Sequence, residues 1–344
     1  MTIQKWSCIE SSEVNAMQCR RICTGVFSAA GVFLLIIDGQ TAIKGAAEGI
    51  DICIRAVIPS LFPFFVLGNL LIGALLGCRL PLLTPLGNLF GIPKGTESLL
   101  LIGLLGGYPV GAQTIAQAYR SGQLTKQDAR RMITFCNQTG PAFLFGILGN
   151  ILSPAKAWLL WLIQIISALL VAKTIPSSES TALIKQKQPS TLPYAVNTAI
   201  RTMANVCSWV VLFRICIAFL DRWVLWFFPN SLKVGIIGLI ELANGCLEIK
   251  KMTDPAVQMM LCSGILGFGG LCVTMQTVSV TSGLDLHLYF PGKILQASIA
   301  MLICWVLFPS GYLIPAVLLP ILWICVIYLR KSENRGRNPV IIGV

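Results

Sequence analysis

The sequence predicts an all-α polytopic membrane protein, with about ten apolar segments in two pseudo-repeated halves and with re-entrant or broken helices. Three observations predict it. Hydrophobic residues make up 55% of the 344 and charged residues only 12%, with a mean hydropathy of +0.77. That leaves too little polar surface to wrap a soluble globule of this length. Apolar runs near the roughly 20 residues needed to cross the hydrocarbon alternate with short charged breaks. Stretches such as 159–171 and 317–328 are almost continuously apolar, where a membrane β-barrel requires alternation.

The first segment, 23–39, follows Arg20 and Arg21. A signal peptide has the same basic flank, but no small-residue cleavage site follows and Asp38-Gly39-Gln40 leads into further helix, so an uncleaved span is expected. Residues 1–22 are then a cytoplasmic arm. The segment 57–78 contains Pro59 and Phe64, and 98–119 is interrupted by Gly106-Gly107-Tyr108-Pro109-Val110-Gly111. The segment 132–150 is interrupted by Asn137-Gln138-Thr139-Gly140-Pro141, and 155–172 closes a first half spanning 23–172. Residues 173–193 form a polar linker rich in Ser, Gln, Lys and Pro, the composition of a solvated connection.

The second half, 194–329, holds 206–220, 234–247, 258–280, 293–308 and 312–329, and 330–344 is a basic cytoplasmic tail. Ile200-Arg201 precedes its first segment much as Ile54-Arg55 precedes the run with Pro59. Two interrupted segments follow, with Glu241-Leu242-Ala243-Asn244-Gly245 and Gly267-Phe268-Gly269-Gly270 in the order of the first half's two breaks. Paired Gly/Pro-broken spans in corresponding halves point to a transporter's binding site.

Lys and Arg concentrate in five places: Arg20 and Arg21; Arg79 and Lys94; Arg120, Lys126, Arg130 and Arg131; Lys173, Lys185 and Lys187; and Arg330, Lys331, Arg335 and Arg337. Short cytoplasmic loops carry such excess. A full crossing by 98–119 would put the stretches on its two sides on opposite faces. A re-entrant hairpin turning at Gly107-Tyr108-Pro109 keeps both cytoplasmic, since glycine permits reversal and proline removes a backbone donor. Both termini and the 120–131 loop are expected on that side. Unwound backbone at membrane depth also implies a surrounding cavity.

The expected pathway residues are Gly107, Tyr108, Pro109, Asn137, Gln138, Glu241, Asn244, Gly269, Gly270 and Gln276. Glu241 leads them, because an ionisable side chain within an apolar run is costly and marks a bundle interior. Asn244 shares its helix face. A structural bridge from Glu241 to Arg214 is the competing reading. The amides of Asn137 and Gln138 can donate and accept, either to a solute or as glue between helices. Most of the polar groups at Thr274, Thr277 and Ser279 read as structural hydrogen bonds, and His287 beside Asp285 as a loop residue. The thirteen cysteines are scattered without a Cys-x-x-Cys pair, so no metal and no cofactor is expected. No nucleophile with a base, metal set or aspartate pair stands at membrane depth, so no enzyme is expected. The net charge of +12 lies in loops rather than on one soluble face, which argues against nucleic acid.

Ile58-Pro59-Ser60-Leu61-Phe62-Pro63-Phe64-Phe65, Gly107-Tyr108-Pro109-Val110-Gly111-Ala112 and Phe135-Cys136-Asn137-Gln138-Thr139-Gly140-Pro141 resemble the sporulation integral membrane proteins of the YlbJ type, which carry the nucleoside-recognition, or Gate, domain. The 241–245 and 267–271 strings resemble that family's second half, and the likeness runs from about residue 50 to 280. It departs from the family pattern at Gln138-Thr139 and at Ala243. The resemblance implies a cell-membrane protein of endospore formers, in the mother-cell-derived forespore membrane, that passes dipicolinic acid. The expected function is therefore a transporter or channel for a small organic anion such as dipicolinate. A nucleoside-type transporter and a non-transporting assembly protein are the alternatives. The expected partners are the lipid bilayer, the solute, further copies of the chain or other sporulation membrane proteins.

Overall fold

The computed structural model describes residues 3–75, 78, 80–177, 190–308 and 314–337. No β-strand forms among them, in line with the predicted all-α class. Residues 178–189 of the expected linker and 338–344 of the expected tail lie outside the described residues.

Among the described residues, six helices are long and apolar enough to cross a bilayer: Gly39–Leu75, Pro154–Thr174, Leu192–Trp223, Pro255–Val280, Tyr289–Leu307 and Pro315–Ser332. The other four of the ten expected apolar segments form no helix of that length and apolarity. Segment 23–39 is the end of one helix, α1 (Ile3–Ile37), which also absorbs most of the expected arm. Asp38 then caps α2 (Gly39–Leu75), accepting from the Thr41 amide at 3.4 Å.

Segment 98–119 is a hairpin of α3 (Glu97–Gly106) and α4 (Val110–Arg120). Gly103 and Gly111 lie on either side of its turn, yet a Cβ on either would collide with one atom, the Cys136 carbonyl oxygen. Only a reversal brings both positions to the same atom, because an α-helix would hold them about 12 Å apart. Gly107, at φ +70°, makes that turn.

Segment 132–150 is a broken helix. α5 (Lys126–Cys136) starts at Thr125, whose hydroxyl accepts from the Asp128 amide at 3.1 Å, and stops at Asn137. α6 (141–151) resumes after Gly140 with Pro141 in its first turn, where a missing N–H costs nothing. α7 (Pro154–Thr174), capped by Ser153, follows.

α8 (Leu192–Trp223) begins inside the expected linker. α9 (Asn230–Ile240) and α10 (Leu242–Glu248) reverse at Glu241, and Gly245 meets the Gly238 backbone across the turn. α11 (Pro255–Phe268) starts on the Asp254 cap and continues into α12 (Gly270–Val280) through Gly269, left-handed at φ +82°. α13 (Tyr289–Leu307) runs antiparallel along α11, with Gly264 on Met301 and Gly267 on Ala297. α14 (Ile314–Arg337) closes the described chain.

The two hairpins open toward opposite ends of the bundle. Arg130 pairs with Asp285 at 2.9 Å and Arg120 reaches Ser282 at 3.4 Å. Arg131, buried, donates to the carbonyls of Phe90, Gly91, Ala172 and Ile175 at 2.7 to 3.0 Å. Leu329 packs with Val171, Ile175 and Leu288. The described basic residues around 90–94, 120–131, 173 and 330 thus share one end, and both feet of the first hairpin stand there. α11 and α12 run from the far end to Ser282, so the second hairpin, which leads into α11, stands on the far end.

The long helices α2 and α8 pack side by side, and at Gly45 and Gly49 their backbones come close. A Cβ at Gly45 would lie 3.0 Å from the Ile215 Cα, and one at Gly49 would lie 2.9 Å from the Val211 Cα. Small residues allow such close approach of membrane helices. Glu48–Arg214 and Asp38–Arg222 ion pairs tie the same two helices. Outer faces are strongly apolar, with Phe27 82% and Leu82 91% exposed, a surface that suits lipid and not water.

Candidate functional site

The two hairpin turns meet the two helix breaks. In the first half, Gly107 and Gly140 face each other backbone to backbone; a Cβ on Gly107 would lie 2.8 Å from the Gly140 Cα. In the second, Gly270 packs on the turn, within 3.2 Å of the Ile240 carbonyl oxygen and 3.3 Å of the Leu242 nitrogen for an added Cβ. Tyr108 joins the halves, since its hydroxyl would lie 2.9 Å from a Cβ on Gly269. That fit excludes any larger residue at Gly269.

Between these interruptions lies a cavity of about 50 Å³, room for a few water molecules. Its walls come from Gly107 and Tyr108, from Thr139 and Gly140, from Glu241 and Leu242, and from Gln276. α2 and α8 close it with Val57, Leu61, Phe65, Val206 and Val210. The lining is apolar with a few polar groups, the pattern of a small-molecule site.

Glu241 is 2% exposed. Its carboxylate accepts from the Ala243 amide at 3.0 Å, the Asn244 amide at 2.6 Å and the Asn244 side-chain amide at 2.6 Å. It therefore caps α10 from the turn, where a negative charge meets the positive end of a helix. Arg214 forms its ion pair with Glu48 instead. Asn244 is buried behind Glu241 as its hydrogen-bond partner and does not line the cavity.

Asn137 also lies behind the wall. Fully buried, it accepts from the Ala112 amide at 3.3 Å and donates to Thr277 at 2.9 Å and to the Tyr289 hydroxyl at 3.1 Å. One side chain thus ties the first hairpin to α12 and α13. Gln138 is fully buried, and neither atom of its amide finds a hydrogen-bond partner among the described residues. Pro109 starts α4 beside Tyr108, and Gln276 donates to the Cys272 sulfur at 3.4 Å. His287 sits in the 281–288 loop with its ring nitrogen 3.0 Å from Asp285. Slight burial acts to raise the Asp285 carboxyl, but the His287 amide, the His287 ring and Arg130 together hold it below the usual carboxylate range.

Sequence reasoning missed the cation of this region. Lys293, one turn into α13, is 0% exposed. Its ammonium donates to Gln296 Oε1 at 2.8 Å and lies 5.0 Å from the centre of the Tyr108 ring and 5.7 Å from that of Tyr289. Gln296 donates to Gln164 at 3.4 Å, and Gln164 donates to the Ser263 carbonyl at 3.0 Å. Lys293 stood at the boundary of an apolar run, where a lysine usually reaches for the interface.

No family model and no solved structure matches the chain. It is 24% identical over 326 residues to "Sporulation integral membrane protein YlbJ" of Bacillus subtilis (strain 168), covering 79% of this chain and 79% of that protein. The similarity supports the YlbJ-type family that the motifs resemble. Together with six apolar helices of spanning length, it makes the chain an integral membrane protein.

Proposed function

Starting from the likeness to YlbJ-type sporulation integral membrane proteins, we propose that the chain is a membrane transporter for a small organic anion such as dipicolinate, acting in the forespore membrane. The observation that carries this reading is the convergence of two helix reversals and two helix breaks on one cavity. Interrupted helices inside a membrane bundle stand only where protein or a watery cavity takes up the freed backbone groups, and transporters bind solute at such breaks. Three helices, α4, α6 and α12, start at these interruptions with no side chain capping them, so their positive dipole ends gather there, and that field favours an anion.

The same reading takes the two runs, long helix, hairpin, broken helix and helix, as an inverted repeat. Hairpins standing on opposite ends support it. The end that gathers the basic stretches is then cytoplasmic. A cavity of about 50 Å³ is too small for an aromatic dicarboxylate, so passage requires the hairpin tips to part, first on one side and then on the other.

Uptake of radiolabelled dipicolinate into proteoliposomes of the purified chain tests the proposal, with uridine as the neutral competitor solute. Uptake of dipicolinate above that of protein-free vesicles is expected. Uptake of uridine alone would select the nucleoside reading, and uptake of neither would leave a non-transporting assembly role.

A further inference from the structure

The transport reading leaves open which group meets the anion's charge, and the cavity wall itself offers none. Its one charged residue is Glu241, a carboxylate. The missing cation stands one layer behind, under Tyr108. Lys293 is fully buried and makes no ion pair among the described residues. None of the four buried carboxylates pairs with it among the described residues: Asp38 pairs with Arg222, Asp128 accepts from Thr125, Glu241 caps its own helix, and Glu97 opens α3 beside Gly87. A charge removed from water and from any counter-ion is costly, and inside a membrane bundle it marks a pathway by default.

Resting on the anion reading, we propose that Lys293 is the residue that pairs the carboxylate of the transported solute, and that Tyr108 is the door between it and the cavity. Tyr108 has one face in the cavity wall and its ring over the ammonium at 5.0 Å. It also sits at the tip of the first hairpin, so the movement that opens the cavity also uncovers Lys293. One ammonium proton is held by Gln296, which the Gln164 and Ser263 contacts fix in turn. The remaining protons face aromatic rings, contacts that a carboxylate oxygen replaces with gain. Gln138, buried beside the same turn with an unsatisfied amide, supplies a second polar group of the kind a ligand satisfies. A lysine presents a point charge rather than a fork, and the rest of the wall is apolar. The solute is therefore a carboxylate on an apolar or aromatic body.

Calorimetric titration of the purified full-length chain with pyridine-2,6-dicarboxylate and its neutral isostere, pyridine-2,6-dicarboxamide, tests the assignment. Wild type should prefer the dicarboxylate, and Lys293→Gln should weaken it by about tenfold or more while leaving the dicarboxamide unchanged. Lys293→Arg, which keeps the charge, should retain most of the affinity. Should Lys293→Gln fail to fold, amine modification of the wild type with an acetimidate, read by peptide mass spectrometry, replaces it. Modification of Lys293 should then be suppressed by the dicarboxylate and not by the dicarboxamide. A folded Lys293→Gln that binds the dicarboxylate like wild type overturns the assignment, as does Lys293 modification that the dicarboxylate leaves unchanged. If wild type ignores the dicarboxylate altogether, the anion reading falls first and the lysine's role with it.

Discussion

Replacing Glu241 by Gln sets two effects of similar size against each other. An acidic side chain at a membrane-helix centre costs about 2.5 to 3.5 kcal/mol, and the neutral amide removes that cost. Against it, a single Gln oxygen can keep the two bonds from Asn244 but turns its own NH2 toward the Ala243 amide, which donates to Glu241 at 3.0 Å in the native turn. Losing one bond to a charged group is worth roughly 1.5 to 3 kcal/mol. The balance runs from about 0.5 kcal/mol of net loss to about 2 kcal/mol of net gain, so Glu241→Gln should insert and fold in at least wild-type amounts. Its effect should fall on transport. An ionised Glu241 in the cavity wall opposes an incoming anion, so wild-type uptake should decline as pH rises through the titration of this carboxyl. Glu241→Gln should lose that dependence. The assay is dipicolinate uptake per folded molecule across a pH series, with folded protein counted by size exclusion. Uptake equal to wild type at every pH would reduce Glu241 to a helix cap and refute the reasoning.

Further perturbations follow from the packing. Arg131→Met removes a buried guanidinium from four carbonyls that join residues 90–91 to the end of α7. It should cost about 3 to 5 kcal/mol, read as a fall in detergent melting temperature, and an unchanged melt would contradict that role. Gly111→Ala drives a methyl into the Cys136 carbonyl and should destabilise by about 1 to 3 kcal/mol. Gly235→Ala, with nothing within 4 Å of the new methyl, should be neutral or stabilise by up to about 1 kcal/mol. Equal effects of the two glycine changes would count against the hairpin packing. On a background cleared of native thiols, cysteines at Ser121 and Ser282 should be labelled from one side of the membrane and one at Lys251 from the other. Labelling of Ser121 and Lys251 from the same side would exclude hairpins standing on opposite ends.

What the sequence made legible was the chemistry that acts locally. Gly107-Tyr108-Pro109 announces a reversal because positive φ and a missing donor are properties of those residues alone. Gly269 is read the same way. The reversal at Glu241 carries no proline and no glycine at its turn, and it forms because the side chain caps the helix that its own backbone begins. Hence that run was legible as interrupted but not as folded back. Asn137 and Asn244 were legible as polar groups at depth, but whether such an amide faces solute or another helix depends on partners far along the chain, Tyr289 and Thr277 for Asn137. Lys293 was illegible for the same reason. Nothing near it in sequence reveals that the Tyr108 ring covers its ammonium.

The fit of α2 to α8 bears on how such a molecule can move at all. At Gly45 and Gly49 backbone comes close to backbone, so at those two crossings no layer of side chains is left to take up a slide or a tilt. Two ion pairs lock its register as well. A mechanism with travelling parts needs a stator, and this bracket supplies it: it walls the cavity on one side through Val57 and Val210 and faces lipid on the other. The membrane seal can then stay shut along the bracket while the tips work against it. A covalent clamp across α2 and α8 should therefore leave turnover intact, whereas the same clamp from either hairpin tip to the bracket should stall it.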